Sequence, residues 1–255
     1  MDVPLRLFAI VLVTVALLCP RAVTAEDRLD PDRPHLPEAS TTVGQGRAVL
    51  ESGYTFSERG SSRTYSYPET LLRVGMVTDW FEVRVGQNFV TQDRTVSNSY
   101  VGAKIAIVEH QRQYLPQLVV IPQMTVASES RPTVSDRVLP GLNIDASWEV
   151  IEHLFNVELL VAANRVRDDV GGAHVQVATG LTAVVNVRRD LEVFAEWDAF
   201  YAASRATSGG KPRDYAVGGL VYFLTKNLAL DLRAGVGLNK QANDFLTGPG
   251  FSVRY

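Results

Sequence analysis

The chain has 255 residues, a formal net charge of −3 and a single cysteine, Cys19. This mildly acidic balance argues against nucleic-acid binding, which needs a basic face. One cysteine excludes a disulfide framework, and no two of the four histidines have helical or zinc-finger spacing, which argues against a metal site of that kind.

Residues 1–25 predict a secretory signal peptide. A short polar stretch with Arg6 precedes the apolar run LFAIVLVTVALL, and the small-residue stretch Val23-Thr24-Ala25 follows it. The apolar run is much shorter than the ~20 residues that a transmembrane helix requires. Cleavage after Ala25 would remove the cysteine, one acid and two bases, and would leave a net charge of −4.

Residues 26–45, EDRLDPDRPHLPEASTTVGQ, are rich in proline and in charges of alternating sign, and they show no apolar periodicity. Such a composition predicts a flexible or threaded segment and no part of a hydrophobic core. We expect this segment to lie in the periplasm or to enter the barrel described below as a plug, with its charged portion docked against lumen arginines.

From Gly46 onward, apolar residues recur at a spacing of two in about twelve segments that are separated by turn-forming clusters. Each segment is close to the ~9 to 11 residues of a tilted membrane-spanning strand. The chain is therefore predicted to be all-β. The segments lie at 46–57, 69–77, 80–90, 99–108, 116–127, 140–151, 154–164, 173–185, 191–203, 214–224, 228–238 and 248–255.

The connections between these segments alternate in length. Those after even-numbered segments are short, such as Thr78-Asp79, whereas those after odd-numbered segments are longer and polar, beginning with SERGSSRTYSYP at 57–68. Short periplasmic turns that alternate with longer extracellular loops are typical of an outer-membrane barrel.

Charges fall on one face of nearly every segment, and apolar side chains fall on the other. A soluble sandwich would also alternate, but the export signal, the loop lengths and aromatic residues near segment ends favour a membrane barrel. In lipid the sheet must close, because an open edge would leave backbone groups unpaired. The aromatic residues assigned to the apolar face are Phe81, Phe89, Phe223, Phe251 and Tyr255.

Residues 46–255 are thus predicted to form an antiparallel transmembrane β-barrel of about twelve strands in the outer membrane of a Gram-negative-type bacterium. Its charged face would line the lumen with more acids than bases. This lining favours cations as they pass, or forms salt bridges that fill a narrow interior; the two are compatible. The predicted lining residues are Arg47, Glu51, Glu69, Arg73, Glu82, Arg84, Lys104, Asp145, Glu149, Glu158, Glu192, Glu196, Asp198, Asp231, Arg233 and Arg254.

The last segment places Phe251, Val253 and Tyr255 on its apolar face. Its backbone must pair with the first strand if the barrel closes. Outer-membrane barrels commonly end on such an aromatic residue, which their assembly machinery is thought to recognise. We therefore expect these three residues to direct barrel assembly.

Several stretches resemble the outer-membrane family called Putative MetA-pathway of phenol degradation: LESGYTF at 50–56, YPETLLRVGMVTDWFEVRVG at 67–86, YVGAKI at 100–105 and GVGLNKQANDFLTGPGFSVRY at 235–255. The most specific part is the run from Pro68 to Arg73 with the following Glu82 and Arg84. The resemblance implies an outer-membrane barrel that passes small, often aromatic, compounds. The family has no agreed catalytic motif, so the resemblance bears on fold and location more than on substrate.

These observations predict passive passage of small molecules, including hydrophobic or aromatic ones, with no cofactor. The expected partners are outer-membrane lipid, the barrel-assembly machinery and small-molecule solutes. One alternative is a non-conducting structural or surface-contact barrel that acts through its long loops. A lipase-type enzyme is the other, but His110, His153 and His174 have no evident serine partner, and the pair Glu196 and Asp198 alone does not make an active site.

Overall fold

The computed structural model describes residues 28–90, 95–111, 114–126, 138–167, 173–202 and 212–255. The predicted signal peptide lies outside these ranges, and so do four of the predicted longer connections, in whole or in part. For residues 89–90, 95–98, 167 and 202 the description covers the backbone alone.

Twelve strands account for most of the described residues. They are β1 (Ala48–Arg59), β2 (Ser62–Gly75), β3 (Phe81–Val90), β4 (Thr95–Val108), β5 (Gln117–Val126), β6 (Val138–Ile151), β7 (Phe155–Arg167), β8 (Ala173–Arg188), β9 (Leu191–Ala202), β10 (Arg213–Thr225), β11 (Leu228–Gly237) and β12 (Phe245–Arg254). Among the described residues no helix is long and apolar enough to cross a bilayer.

Each strand pairs antiparallel with the next, and β12 pairs with β1, so the sheet closes into a barrel. At the closure the N–H of Tyr255 donates to the carbonyl of Ala48 over 2.8 Å. The N–H of Ala48 donates in return to the carbonyl of Tyr255 over 3.3 Å. The predicted all-β, twelve-stranded antiparallel barrel is confirmed.

Side chains alternate between the lumen and the outside. On β11, Asp231 is 6% exposed, whereas its neighbours Leu230 and Leu232 are 44% and 47% exposed. The same alternation on the other strands gives an outer belt of exposed apolar side chains, as a lipid-facing surface requires. Members of this belt include Leu72, Val85, Val101, Leu142, Val161, Leu181, Trp197, Leu220 and Phe251.

Phe223 does not belong to the outer aromatic set, so its assignment to the lipid face was wrong. Its side chain is 5% exposed and packs in the lumen with Leu29, Val43 and Val221. Both faces of β10 are apolar, and the alternation therefore could not distinguish inside from outside. Residues 28–45 fill part of the lumen and include the apolar side chains of Leu29 and Val43. The inward face of β10 packs against these side chains, so it is apolar as well.

The predicted length of the first connection was also wrong. β1 continues to Arg59 and β2 begins at Ser62, so a tight turn replaces most of the predicted loop. Gly60 supplies the positive φ of 58° that this turn needs. Cross-strand aromatic packing stabilises the added pairs, since the rings of Phe56 and Tyr65 lie 5.4 Å apart.

Candidate functional site

Residues 28–45, called here the lumen loop, run inside the barrel without regular secondary structure. At one end the N–H of Leu29 donates to the carbonyl of Lys226 over 2.8 Å, at the turn between β10 and β11. At the other, the N–H of Gln45 donates to Asp79 Oδ1 over 2.8 Å, at the turn between β2 and β3. Both turns follow even-numbered strands, so the loop enters and leaves at the same, short-turn end of the barrel.

Asp32 of the lumen loop contacts three cations from three neighbouring strands. Its carboxylate oxygens lie 3.1 Å from Arg73 Nη1, 2.7 Å from Arg84 Nη2 and 2.7 Å from Lys104 Nζ. Two strand carboxylates complete this Asp32 cluster: Glu51 lies 3.1 Å from Arg73 Nη1, and Glu82 lies 2.8 Å from Arg73 Nε. All six side chains are buried, and charges so far from water require this mutual pairing.

The ionisation of Asp32 follows from its neighbours. Burial raises the pKa of a carboxyl group, but the positive charges of Arg73, Lys104 and Arg84 outweigh burial here. The pKa of Asp32 is therefore held below its ordinary value, and the group is ionised at neutral pH.

The register of β2 and β3 places Glu82 beside two arginines. Arg73 and Arg84 lie directly opposite each other on β2 and β3. Glu82 pairs closely with Arg73 and lies 3.6 Å from Arg84 Nε, so it bridges both arginines, one tightly and one loosely.

Lumen carboxylates also accept hydrogen bonds from backbone N–H groups of the lumen loop. A buried backbone donor must be paired, and a loop without regular structure cannot pair its own donors. The carboxylate oxygens thus accept the hydrogen bonds that the carbonyl groups of a neighbouring strand accept in a sheet. The bonds run from Asp32 N and Arg33 N to Glu51 (3.0 and 2.9 Å), from Leu36 N to Glu196 (2.9 Å), from Glu38 N to Asp145 (2.9 Å) and from Val43 N to Glu82 (2.9 Å).

Basic side chains of the lumen loop meet acids on several strands of the barrel. Arg33 lies 3.0 Å from Glu69 and 3.4 Å from Asp231. Arg28 pairs with Glu192, and its guanidinium carbon lies 3.8 Å from the centre of the Phe223 ring. These contacts bind the loop to β2 and β11 through Arg33 and to β9 and β10 through Arg28.

His35 lies in the middle of the lumen loop and contacts β7 and β9. Its Nδ1 is 3.2 Å from Glu158 Oε2, and its ring meets Phe194 edge to face at 4.3 Å. Burial alone would lower the pKa of this imidazole, but the charge and hydrogen bond of Glu158, with the charges of Glu196 and Glu192, together outweigh burial and raise the pKa of His35 to about 9. His35 is therefore charged at neutral pH.

Three of the predicted lining residues lie apart from these contacts, at the short-turn end. Arg47 is exposed beside the start of β1, and Glu149 accepts a bond from the N–H of His153 over 2.6 Å. Arg254 donates to Asn227 Oδ1 over 2.8 Å.

A cavity of about 310 Å³ lies above the lumen loop, towards the end with the longer connections. Sequence analysis missed this vestibule, although Phe200 shares the inward parity of Glu196 and Asp198 on β9, a signal that could have revealed an aromatic lining. Its lining residues are Leu36, Thr55, Ser57, Glu196, Asp198, Phe200, Arg213, Tyr215, Val217, Arg233, Asn243 and Leu246.

Within the described ranges no group of three or more His, Cys, Asp or Glu side chains is placed to hold a metal ion. A closed barrel with an apolar outer belt and a lumen filled with charges defines an outer-membrane β-barrel. The predicted outer-membrane location follows from this class.

The family is shown by its sequence profile. The profile described as Putative MetA-pathway of phenol degradation matches residues 31–255, which is most of the chain. The chain belongs to this family, and the resemblance found in the sequence is confirmed. No curated protein matches the chain.

Solved structures with a similar fold are outer-membrane porins and channels. The COG4313 outer membrane channel from Pseudomonas putida F1 is 12% identical, with a TM-score of 0.61, and the match covers 86% of this chain and 99% of that one. The NanC porin is 14% identical, with a TM-score of 0.55 and coverage of 81% and 98%. The KdgM porin in complex with disordered oligogalacturonate is 11% identical, with a TM-score of 0.55 and coverage of 80% and 98%. At these identities the likeness supports the fold.

Proposed function

We propose that this protein is a passive outer-membrane channel for small molecules and that the lumen loop is its plug. Solutes from outside enter the vestibule and meet the apex of the loop, and passage requires the loop to yield. The protein performs no covalent chemistry in this scheme. Hydrophobic and aromatic compounds are the solutes that the family description favours.

The observation that carries this proposal is how the lumen loop is bound. Every contact described above between loop and barrel is a hydrogen bond, an ion pair or a packing contact, so the loop can leave without breaking a covalent bond. Its covalent connection to the barrel, within the described residues, runs from Gln45 through residues 46–47 into β1. A segment held in this way can be displaced while the barrel wall stays closed.

Solute passage tests the proposal directly. The refolded protein, with and without residues 26–45, would be placed in liposomes, and swelling would be followed with small uncharged, aromatic and charged solutes. We expect passage to be faster without the segment. Equal and negligible swelling for both proteins, each shown to be folded, would contradict the proposal.

The packing of the Asp32 cluster favours a second candidate, a non-conducting barrel with a structural or surface-contact role. Arg73, Arg84, Lys104, Glu51 and Glu82 are each at most 1% exposed. Charges packed this densely stiffen a barrel whether or not anything crosses it. The same liposome experiment separates the two candidates, because a structural barrel stays closed without its loop.

We also propose that Phe251, Val253 and Tyr255 serve barrel assembly. They lie on the outer face of β12, the strand that closes the barrel against β1. An assembly factor that acts on a strand before closure would meet this face and this edge.

A further inference from the structure

The vestibule has one apolar and aromatic wall above an apolar floor. Leu36 of the lumen loop forms part of the floor, and Phe200 and Tyr215 stand beside it with ring centres 6.0 Å apart at 80°. Val217 and Leu246 extend the apolar lining. With a volume of about 310 Å³, the space accommodates a compound built on a single ring.

Two buried carboxylates face this space from β9. Glu196 and Asp198 are two residues apart and therefore share the inward face, and they are 1% and 6% exposed. Glu196 accepts from the N–H of Leu36 over 2.9 Å and from the hydroxyl of Thr182 over 2.7 Å, both neutral donors. Asp198 Oδ1 is buried and has no hydrogen-bond partner within the part of the chain that the structure describes.

The arginines of the vestibule do not neutralise this pair of acids. Arg233 donates to the carbonyl of Pro34 over 3.0 Å and to the hydroxyl of Thr55 over 2.9 Å, and its nearest acid is Glu69 at 3.9 Å. Arg213 lies with its guanidinium carbon 5.6 Å from the centre of the Phe200 ring. Among the described residues, Glu196 and Asp198 are therefore two buried acids for which no ion pair is seen, which is costly unless they take up a proton or a cation arrives from outside.

We propose that the vestibule binds a small organic cation, with a primary ammonium group against Asp198 and Glu196 and an apolar or aromatic body against Phe200, Tyr215 and Leu36. An ammonium group brings three donors and a positive charge to the unpartnered carboxylate. The faces of aromatic rings attract cations as well, as the position of Arg213 over Phe200 illustrates. The inference rests on the proposed function, because it names the class of solute that the channel accepts.

The test compares two probes of matched shape, benzylammonium and benzyl alcohol, by calorimetric titration of the refolded full chain in detergent. The unmodified protein should bind benzylammonium at least roughly tenfold more tightly, the ratio that ~1.4 kcal/mol of ion pairing supplies. Equal binding of the two probes, or preference for the alcohol, would overturn the inference. That outcome would mean that the two acids share a proton and carry less charge than the inference requires.

Two variants locate the site. Asp198→Asn removes one negative charge with little change in shape and should abolish the preference for benzylammonium. Asp190→Asn is the matched control, because Asp190 lies outside the vestibule, partly exposed at the turn between β8 and β9, and pairs with Arg188 at 2.9 Å. The preference should persist in this control. If it persists in Asp198→Asn as well, the vestibule is not the site.

Failure of this inference is distinguishable from failure of the proposed function. Liposome swelling without the lumen loop reports passage, whereas titration reports binding to the intact chain. If solutes pass but binding shows no preference for the cation, the inference is overturned and the proposed channel function stands. Cation-selective binding without passage would support the inference and contradict the channel.

Discussion

At the scale of single residues, Asp32 joins the lumen loop to β2, β3 and β4 at once. Replacing it with asparagine removes one of the acids that balance Arg73, Arg84 and Lys104 and leaves the three buried cations underpaired. Breaking a buried pair of this kind costs about 3 kcal/mol. Asp32→Asn should therefore shift the docking equilibrium of the loop by roughly a hundredfold towards release.

The open fraction of single channels measures that shift. Asp30→Asn is the matched control, since Asp30 is exposed and, within the described ranges, its side chain bonds the hydroxyl of Thr41 and contacts no cation of the cluster. An Asp32→Asn channel that opens no more often than the Asp30→Asn channel would show that the cluster does not hold the loop.

The inward position of the strand charges in the Asp32 cluster could be predicted from the sequence, because alternation fixes the face of each strand residue. The partners of these charges could not be predicted from the sequence. Arg73 and Arg84 lie directly opposite each other on the adjacent strands β2 and β3. Like charges in this position repel each other, so the pair would be unfavourable from the strands alone. Asp32, about forty residues earlier in the chain, makes the arrangement stable, and no periodicity connects it to them.

At the scale of elements, the lumen loop should respond to alkaline pH. The docked state raises the pKa of His35 from 6.5 to about 9, so protonated His35 favours docking. This contribution is fully present below about pH 6.5 and is lost as the pH rises through about 9. The open fraction should rise roughly tenfold or more between about pH 8 and about pH 10.

The variant His35→Gln serves as the control for this titration. It keeps a polar side chain beside Glu158 but cannot gain a proton in this range. Its open fraction should be high at neutral pH and nearly flat with pH. An unchanged alkaline rise in this variant would assign the effect to another group.

Strand β12 carries the second prediction at this scale. Tyr255→Ala removes an exposed ring, while the backbone bonds between Tyr255 and Ala48 need no side chain. We therefore expect less folded barrel in outer-membrane fractions, measured as the heat-modifiable band on gels, with little change in the unfolding of protein refolded in vitro. Tyr114→Ala removes a similarly exposed tyrosine at the turn between β4 and β5 and should have no effect. Equal yields from the two variants would contradict a role in assembly.

Elements were predicted well where one face is apolar and the other charged, as on β11. They were predicted less well where that contrast fails. β10 has two apolar faces, so the inward position of Phe223 depended on contacts with the lumen loop. The turn region of the β1–β2 hairpin is rich in Ser, Arg and Gly, a composition that favours a loop. Pairing between the two strands outweighs this local preference.

At the scale of the whole molecule, the barrel and the lumen loop fit together by charge. Cations of β2, β3 and β4 receive Asp32 of the loop, and acids of β2, β7, β9 and β11 receive its Arg28, His35 and Arg33. The sequence predicted the acidic excess of the lining and a charged segment able to dock there. It could not predict which lining charge pairs with which residue of the loop, because this depends on the path of the loop.

The central claim is that the lumen loop closes a barrel that otherwise conducts. Single-channel conductance in a planar bilayer, for the refolded chain from residue 26 and for the same chain without residues 26–45, tests it most directly. The intact protein should be closed or open only briefly, and the shortened one should show discrete, long-lived steps that prefer cations. Silence from a shortened protein that is shown to be folded, or the same conductance from both, would contradict the account.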